Sequence, residues 1–212
     1  MLREDALKAV YPRLKSQVVV TIMGAVAVEL YNLGHQPNFF YLEHGMGLAS
    51  SMGLGLAVSL PEEKITVLDG DGSVLMNLGS LSTLARYSPP NLTHWIFDNE
   101  SLLSVGGFPT ATGAGTDLAG IAEKAGAEHV ALADTVEDAE QAFNEASERE
   151  GLSIIVSKVE AIGPSSFAMD INLLENLSLI HISEPTRPRL ISDAVVCLKK
   201  KWGGGGGGGG GG

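Results

Sequence analysis

Asp71 and Asn99 are the two side chains in this sequence whose type, spacing and setting point most directly to chemistry. Asp71 sits in Asp69-Gly70-Asp71-Gly72-Ser73, directly after the apolar run Ile65-Thr66-Val67-Leu68. Asn99 sits in Asp98-Asn99-Glu100-Ser101, directly after a second apolar run, Thr93-His94-Trp95-Ile96-Phe97, 28 positions further on. Both runs read as strands, so each delivers an oxygen-bearing side chain at its carboxyl end. In open α/β sheets ligands bind at that edge. The glycines flanking Asp71 allow backbone N–H groups to approach an anion closely, and the helix start that follows favours negative charge. A carboxylate and an amide oxygen beside a phosphate cradle form the oxygen-rich donor set that Mg²⁺ prefers when it also holds ligand phosphates.

The elements that must position this pair follow from the pattern of the chain. Leu2, Ala6, Leu7 and Val10 share one face of a helix at the start, and Gln17–Ile22 is a continuous β-branched run suited to a strand buried on both faces. Ala25–Leu33 reads as a helix closed by Gly34, and Asn38–Leu42 as a short strand. Gly45–Ala57 reads as one helix rich in small residues, and Leu75–Arg86 as the crossover helix, ended by Pro89-Pro90. Gly106–Gly115 has no periodicity and is expected to form a mobile loop over the site. Thr116 is expected to cap a helix ending at Gly126. His129–Leu132 is a strand. Asp134, with Glu137 as a capping box, opens a helix that turns Val136, Ala139, Phe143 and Ala146 inward, and Leu152–Val156 is the last strand. Strands alternating with helices predict an α/β fold, a doubly wound parallel sheet with helices on both faces.

The segment past residue 176 is of a different kind. Leu177–Arg187 reads as a translated transposase sequencing adapter, Ile191–Lys200 as the outer adapter with errors, and Gly203–Gly212 as poly-G base calls. Residues 177–212 are therefore set aside, and the natural sequence is expected to be truncated near Asn176, short of a final helix. Of 14 Lys and Arg, five lie past 176, and of 25 Asp and Glu, two do. Residues 1–176 thus carry nine basic against 23 acidic side chains, a net charge of −14 rather than −11. That balance argues against nucleic acid or an anionic membrane as partner. The sole cysteine, Cys197, falls in the set-aside segment, and the body shows no signal peptide and no apolar run long enough to span a bilayer. A cytoplasmic protein is the expectation.

Gly-Asp-Gly-Ser with an Asn at this distance on the next strand resembles the binding motif of thiamine-diphosphate-dependent enzymes. The resemblance implies that Asp71, Asn99 and the backbone carbonyl of Ser101 bind Mg²⁺, with Gly70, Gly72 and Ser73 in the turn that holds the diphosphate. Gly45 and Met46 would form the step against the aminopyrimidine, Met46 holding the cofactor bent while the His44 carbonyl accepts from its amine. His44 is also a candidate to move protons during catalysis. Gly45-Met46-Gly47-Leu48-Ala49-Ser50 approximates a dinucleotide fingerprint as well, with Asp69 and Asp71 some 20 residues on, so a nucleotide-binding dehydrogenase domain is the rival. Ser50 in place of its third glycine, and an unexplained Asn99, count against that rival.

Among thiamine enzymes the chain is most similar to the decarboxylases acting on sulfopyruvate and phosphonopyruvate, over essentially residues 1–176. The likeness rests on Glu29-Leu30-Tyr31, Asn38–Tyr41, Met46–Ser51, Leu68–Gly79, Gly106-Gly107 and Pro109–Thr112. It departs at His44-Gly45, where the family has Gly-Ser, and at Leu102 and Phe108, where it has Tyr and Gln. Another thiamine enzyme, such as a carboligase, is the alternative within the class. The resemblance further implies a separate pyrimidine-domain partner subunit carrying the activating glutamate, because one domain's length cannot hold both halves. A hetero-oligomer acting on a small 2-oxo acid follows. Glu29 is read as helix surface and Glu43 as lying beside the Met46 step on the wrong half of the interface.

Overall fold

A computed structural model describes residues 1–43 and 45–170. His44 and the set-aside segment 177–212 lie outside the described residues. The described elements fall in Met1–Met169, which forms one unit. In chain order they are α1 (Arg3–Leu14), β1 (Val18–Ile22), α2 (Ala25–Leu33), β2 (Phe39–Leu42), α3 (Ala49–Ser59), β3 (Ile65–Gly70), α4 (Asp71–Met76) and α5 (Gly79–Tyr87). Then come β4 (Leu92–Asp98), the short β5 (Ser101–Leu102) and β6 (Phe108–Pro109), α6 (Leu118–Ala125), β7 (His129–Ala133), α7 (Val136–Glu148) and β8 (Ser153–Lys158).

Six strands pair in the order β2-β1-β3-β4-β8-β7, all parallel, and this is the doubly wound sheet that the sequence predicts. From β1 the chain winds first to β2 on one side and then to β3 on the other. The crevice at this reversal is where such sheets bind ligands. β3 and β4 are central, and every β4 residue is buried, which explains why both motif strands read as unbroken apolar runs.

Each face is sealed by a different means. On one face Trp95 meets Phe97 and Phe143 of α7 at centroid distances of 4.7 and 5.4 Å, and its indole N–H donates to Ser157 Oγ at 2.8 Å. α1 packs on both α7 and α2. On the opposite face α3 lies so close to the sheet that a Cβ at Gly53 would stand 2.1 Å from Val67 Cγ2. The small residues of α3 are thus the condition for its approach to β3, the strand that delivers Asp71.

Several local expectations need correction. Gly45–Leu48 is a turn, and α3 begins only at Ala49, because the chain must leave β2 and double back before a helix can start. The crossover after β3 is two helices, broken at Asn77-Leu78, and Asp71 itself is the first residue of α4. Asp117, not Thr116, caps α6, accepting from the Gly120 N–H, and Thr135, not Asp134, caps α7, accepting from the Asp138 N–H. Gly106–Gly115 carries regular structure: β5 and β6 pair antiparallel and a 3₁₀ turn follows at Ala111–Ala114.

Glu29 is the largest departure. It is buried, and both its oxygens accept from Arg3, from Nε and Nη2, at 2.8 Å. The same guanidinium donates to the Ile162 carbonyl at 3.3 Å, so one ion pair joins α1, α2 and the segment after β8. Removing one partner of a buried pair leaves the other charge uncompensated. Glu29→Leu is therefore expected to lower unfolding free energy by roughly 3–5 kcal/mol in urea titration.

Candidate active site

At the carboxyl edge of β3 the backbone turns sharply, and the turn is braced from behind. Asp69, buried, accepts the Gly70 N–H on Oδ1 at 3.0 Å and meets His94 Nε2 through Oδ2 at 3.2 Å. Asp69 thus faces inward, its carboxylate committed to the Gly70 amide and His94. Gly70 precedes α4, and a Cβ there would meet nothing within 4 Å, so the space before it is open. At Gly72 a Cβ would stand 2.5 Å from Leu102 Cδ2 and 3.4 Å from Met46 Cε. Bare backbone at position 72 is what lets these two apolar side chains close over the turn.

The Met46 turn is stitched to the same place. The Gly47 N–H donates to Ser73 Oγ at 3.0 Å, and Asn77 Nδ2 donates to the Gly47 carbonyl at 2.8 Å. Gly45 is buried against Leu42, whereas Met46 is 37% exposed. The two glycine-bearing stretches that the sequence singled out therefore form one surface, with Ser73's hydroxyl as the tie between them.

Asp71 is only 3% exposed. Its Oδ2 accepts from Thr110 Oγ1 at 2.6 Å and lies 3.1 Å from Thr112 Oγ1. Thr112 also donates to Asp98 Oδ1 at 2.7 Å, so one hydroxyl spans two buried carboxylates. Asp98 has a countercharge: Lys158 Nζ stands 2.7 Å from its Oδ2 and 2.9 Å from Glu100 Oε1. Among the described residues Asp71 has none. Burial pushes its carboxyl above the usual carboxylate range, and the charge on Asp98 pushes the same way; the bonds from Thr110, the Gly72 amide and Thr112 only partly offset this.

Asn99 and Ser101 lie on the loop that leaves β4. Asn99 Oδ1 accepts the Ser101 N–H at 3.1 Å, leaving that oxygen a second lone pair. Ser101 opens β5 beside Leu102, which places its backbone on the same hairpin that covers Gly72. Among the described residues no three His, Cys, Asp or Glu side chains cluster as a metal cage. A cation at Asp71 would thus depend on amide and carbonyl oxygens and on oxygens of the ligand itself, the coordination habit of Mg²⁺. The uncompensated carboxylate and the open, Cβ-free turn fit a cation with a phosphate ligand. Sequence reading had missed Thr110, Thr112, Asp98 and Lys158. Two hydroxyls flanking Ala111 in a glycine-rich stretch were the available signal.

The pH dependence of stability follows with a definite sign. Folding raises the Asp71 pKa, so the native chain keeps a proton that the unfolded chain releases. The window opens at the ordinary value of 3.8 and closes at the raised one. Within it, stability falls as pH rises. Asp71→Asn is expected to flatten that slope and to be more stable than the parent above the window. Urea unfolding of both proteins between about pH 4 and pH 8 measures it.

Residues 21–157 match the family described as "Thiamine pyrophosphate enzyme, C-terminal TPP binding domain". The chain is 38% identical over 157 residues to sulfopyruvate decarboxylase subunit beta of Methanocaldococcus jannaschii, covering 74% of this chain and 82% of that one. It is 36% identical over 151 residues to phosphonopyruvate decarboxylase of Streptomyces viridochromogenes, covering 71% of this chain but 37% of that protein. The crystal structure of benzoylformate decarboxylase from Polynucleobacter necessarius shares the fold, with a TM-score of 0.64 at 20% identity over 77% of this chain and 34% of that one. The chain thus spans about a third of these longer enzymes and most of the beta subunit. It belongs to the thiamine pyrophosphate enzymes, as a TPP-binding subunit of the sulfopyruvate and phosphonopyruvate decarboxylase type.

Proposed function

We propose that this chain is the Mg²⁺-dependent, thiamine-diphosphate-binding subunit of a 2-oxo acid decarboxylase, active together with a separate pyrimidine-domain chain. The observation that carries the metal is Asp71, a buried carboxylate with no cationic partner among the described residues, beside one that has its own lysine. In this reading Asp71, the Asn99 amide oxygen and the Ser101 carbonyl hold Mg²⁺. Gly70, Gly72 and Ser73 line the turn that receives the diphosphate, and Gly45 and Met46 support the cofactor's ring. Held by these residues, thiamine diphosphate would supply the electron sink that loss of CO₂ from a 2-oxo acid requires. The chain's own residues bind and orient the cofactor, and Met46 and Leu102 keep water from the turn. His44, beside Gly45, remains the in-chain candidate to carry a proton.

A partner is supported by what the carboxyl edge exposes. Met46, Leu48, Met76, Val105 and Phe108 are all large, apolar and solvent-facing. A patch of this kind marks a surface that another chain covers. The relative from Methanocaldococcus jannaschii is itself named a beta subunit. Residues 1–176 make up the proposed domain, and 177–212 are taken as adapter read-through.

Three measurements test this reading. Calorimetric titration of the full chain, with its partner, against thiamine diphosphate and NAD is expected to show thiamine diphosphate uptake that requires Mg²⁺. Metal-independent NAD binding without a thiamine response would overturn the assignment. Asp71→Ala is expected to abolish Mg²⁺-dependent retention, and unchanged retention would reduce Asp71 to a turn residue. The chain alone is expected to release negligible CO₂ from pyruvate, sulfopyruvate or phosphonopyruvate, and to become active on adding a pyrimidine-domain partner. Robust turnover by the lone chain would contradict the two-chain model.

A further inference from the structure

The proposed function uses the β5–β6 hairpin but does not say what holds it in place. It has only two paired residues per strand, Ser101 with Pro109 and Leu102 with Phe108. Two-stranded hairpins of this size are not stable by themselves in water. Two backbone bonds close it, from the Gly107 N–H to the Leu102 carbonyl and from the Thr110 N–H to the Glu100 carbonyl, each 3.0 Å. Beyond these, the hairpin is held at its exit by side chains: Thr110 and Thr112, both buried, reach across to Asp71 on a different element.

We propose that Thr110 and Thr112 are positioning residues: Thr110 donates to Asp71 and Thr112 to Asp98, and together they clasp the hairpin between the two carboxylates, fixing at once the plane of the Asp71 carboxylate and the place of Leu102 over Gly72. Thr110, just before the 3₁₀ turn, donates to Asp71 Oδ2 at 2.6 Å, while Thr112 within the turn stands 2.8 Å from Thr110 and packs 3.1 Å from the same oxygen, so the carboxylate is flanked on one side by both. Thr112 is further anchored to Asp98, and Asp98 to Lys158 at the end of β8. The clasp therefore ties the end of β3 to the ends of β4 and β8 through side chains alone. Neither threonine contacts substrate in this account; both act through Asp71. The metal half of the inference rests on Asp71 being a Mg²⁺ ligand, whereas the clasp does not.

Hydrogen exchange on the full chain, and Mg²⁺-dependent cofactor binding by the full chain together with its partner, separate the two. Thr112→Val keeps the shape and removes the hydroxyl. It is expected to lower protection of the Gly107 and Thr110 amides at least about tenfold in the metal-free chain, with β3 and β4 amides unchanged. It is also expected to raise the Mg²⁺ concentration needed for thiamine diphosphate uptake by roughly 10–100-fold, the usual effect of losing a group that orients a metal ligand. Thr112→Ser, which restores the hydroxyl, should return both values towards the parent. Thr110→Val serves the same purpose if the first variant fails to fold. Parent-like exchange in the valine variants would overturn the clasp, and lost protection with an unshifted Mg²⁺ requirement would overturn the positioning role. Protection that follows the hydroxyls, in a chain that never takes up thiamine diphosphate, would leave the clasp standing and sink the cofactor reading instead.

Discussion

Two carboxylates, Asp71 and Asp98, lie buried at the carboxyl edge of the central strands with one lysine between them. Lys158 is committed to Asp98 and Glu100, so a negative charge is left over, and the site is organised around that excess. Burying an unpaired carboxylate is costly, and the ordinary remedies are a protonated acid, a salt bridge or a bound cation. This chain offers Asp71 hydroxyls and an amide but no ammonium or guanidinium among the described residues. No internal cation serves Asp71 among the described residues, and the proposed divalent ion with its phosphate ligand would supply the missing charge.

The rest of the molecule can be understood as the scaffold that makes such an arrangement tolerable. β3 and β4 are fixed by an all-parallel sheet with covers on both faces. Trp95, Phe97 and Phe143 fill one side, and the Gly53–Val67 approach closes the other. With the strands immobilised, the strand ends need little further support, and the short, polar links do the final placing. Asp69 and His94 set the turn before Asp71, Ser73 sets Gly47, and the threonines set the hairpin. Parallel sheets with helices on both faces suit this division of labour, because their core does not extend to the loops at the strand ends.

How much of this was legible in the sequence depended on whether the signal was periodic. Strands β1, β3, β4 and β8 are continuous apolar runs, and their parallel sense followed from the alternation with helices, whereas their order in the sheet did not. Gly34 ending α2 and Gly126 ending α6 were read correctly for the same local reasons. The failures share a cause: each depends on a partner remote in sequence. Glu29 looked like a surface charge because nothing nearby in sequence announces Arg3. Gly45–Leu48 read as the start of the following helix despite its two glycines, while the hydrogen bonds that hold it as a turn, from Gly47 to Ser73 and from Asn77 to Gly47, span 26 to 30 positions. Thr110 and Thr112 stood out only as two hydroxyls in a glycine-rich stretch, and their role at the site depends on where the hairpin carries them.

Glu100 shows the same logic carried into the backbone. It is one of two non-glycine residues among those described with positive φ, at +58°, and it stands between Asn99 and Ser101. A left-handed conformation costs a non-glycine residue on the order of 1–2 kcal/mol, and such strain persists only where surrounding contacts over-determine it. Three such contacts are present. The Glu100 carboxylate pairs with Lys158, its N–H donates to Asp98 at 3.2 Å, and its carbonyl accepts the Thr110 N–H. The reversal at this residue turns the chain out of β4 directly into β5, bringing Leu102 over Gly72 within four residues of the strand's end. Lys158 therefore serves two ends: it neutralises the carboxylate that is not left open, and it holds the one strained residue of the loop in place. That a half-buried lysine on the neighbouring strand should stabilise both is a consequence of β8 lying in register beside β4, Asp98 opposite Lys158.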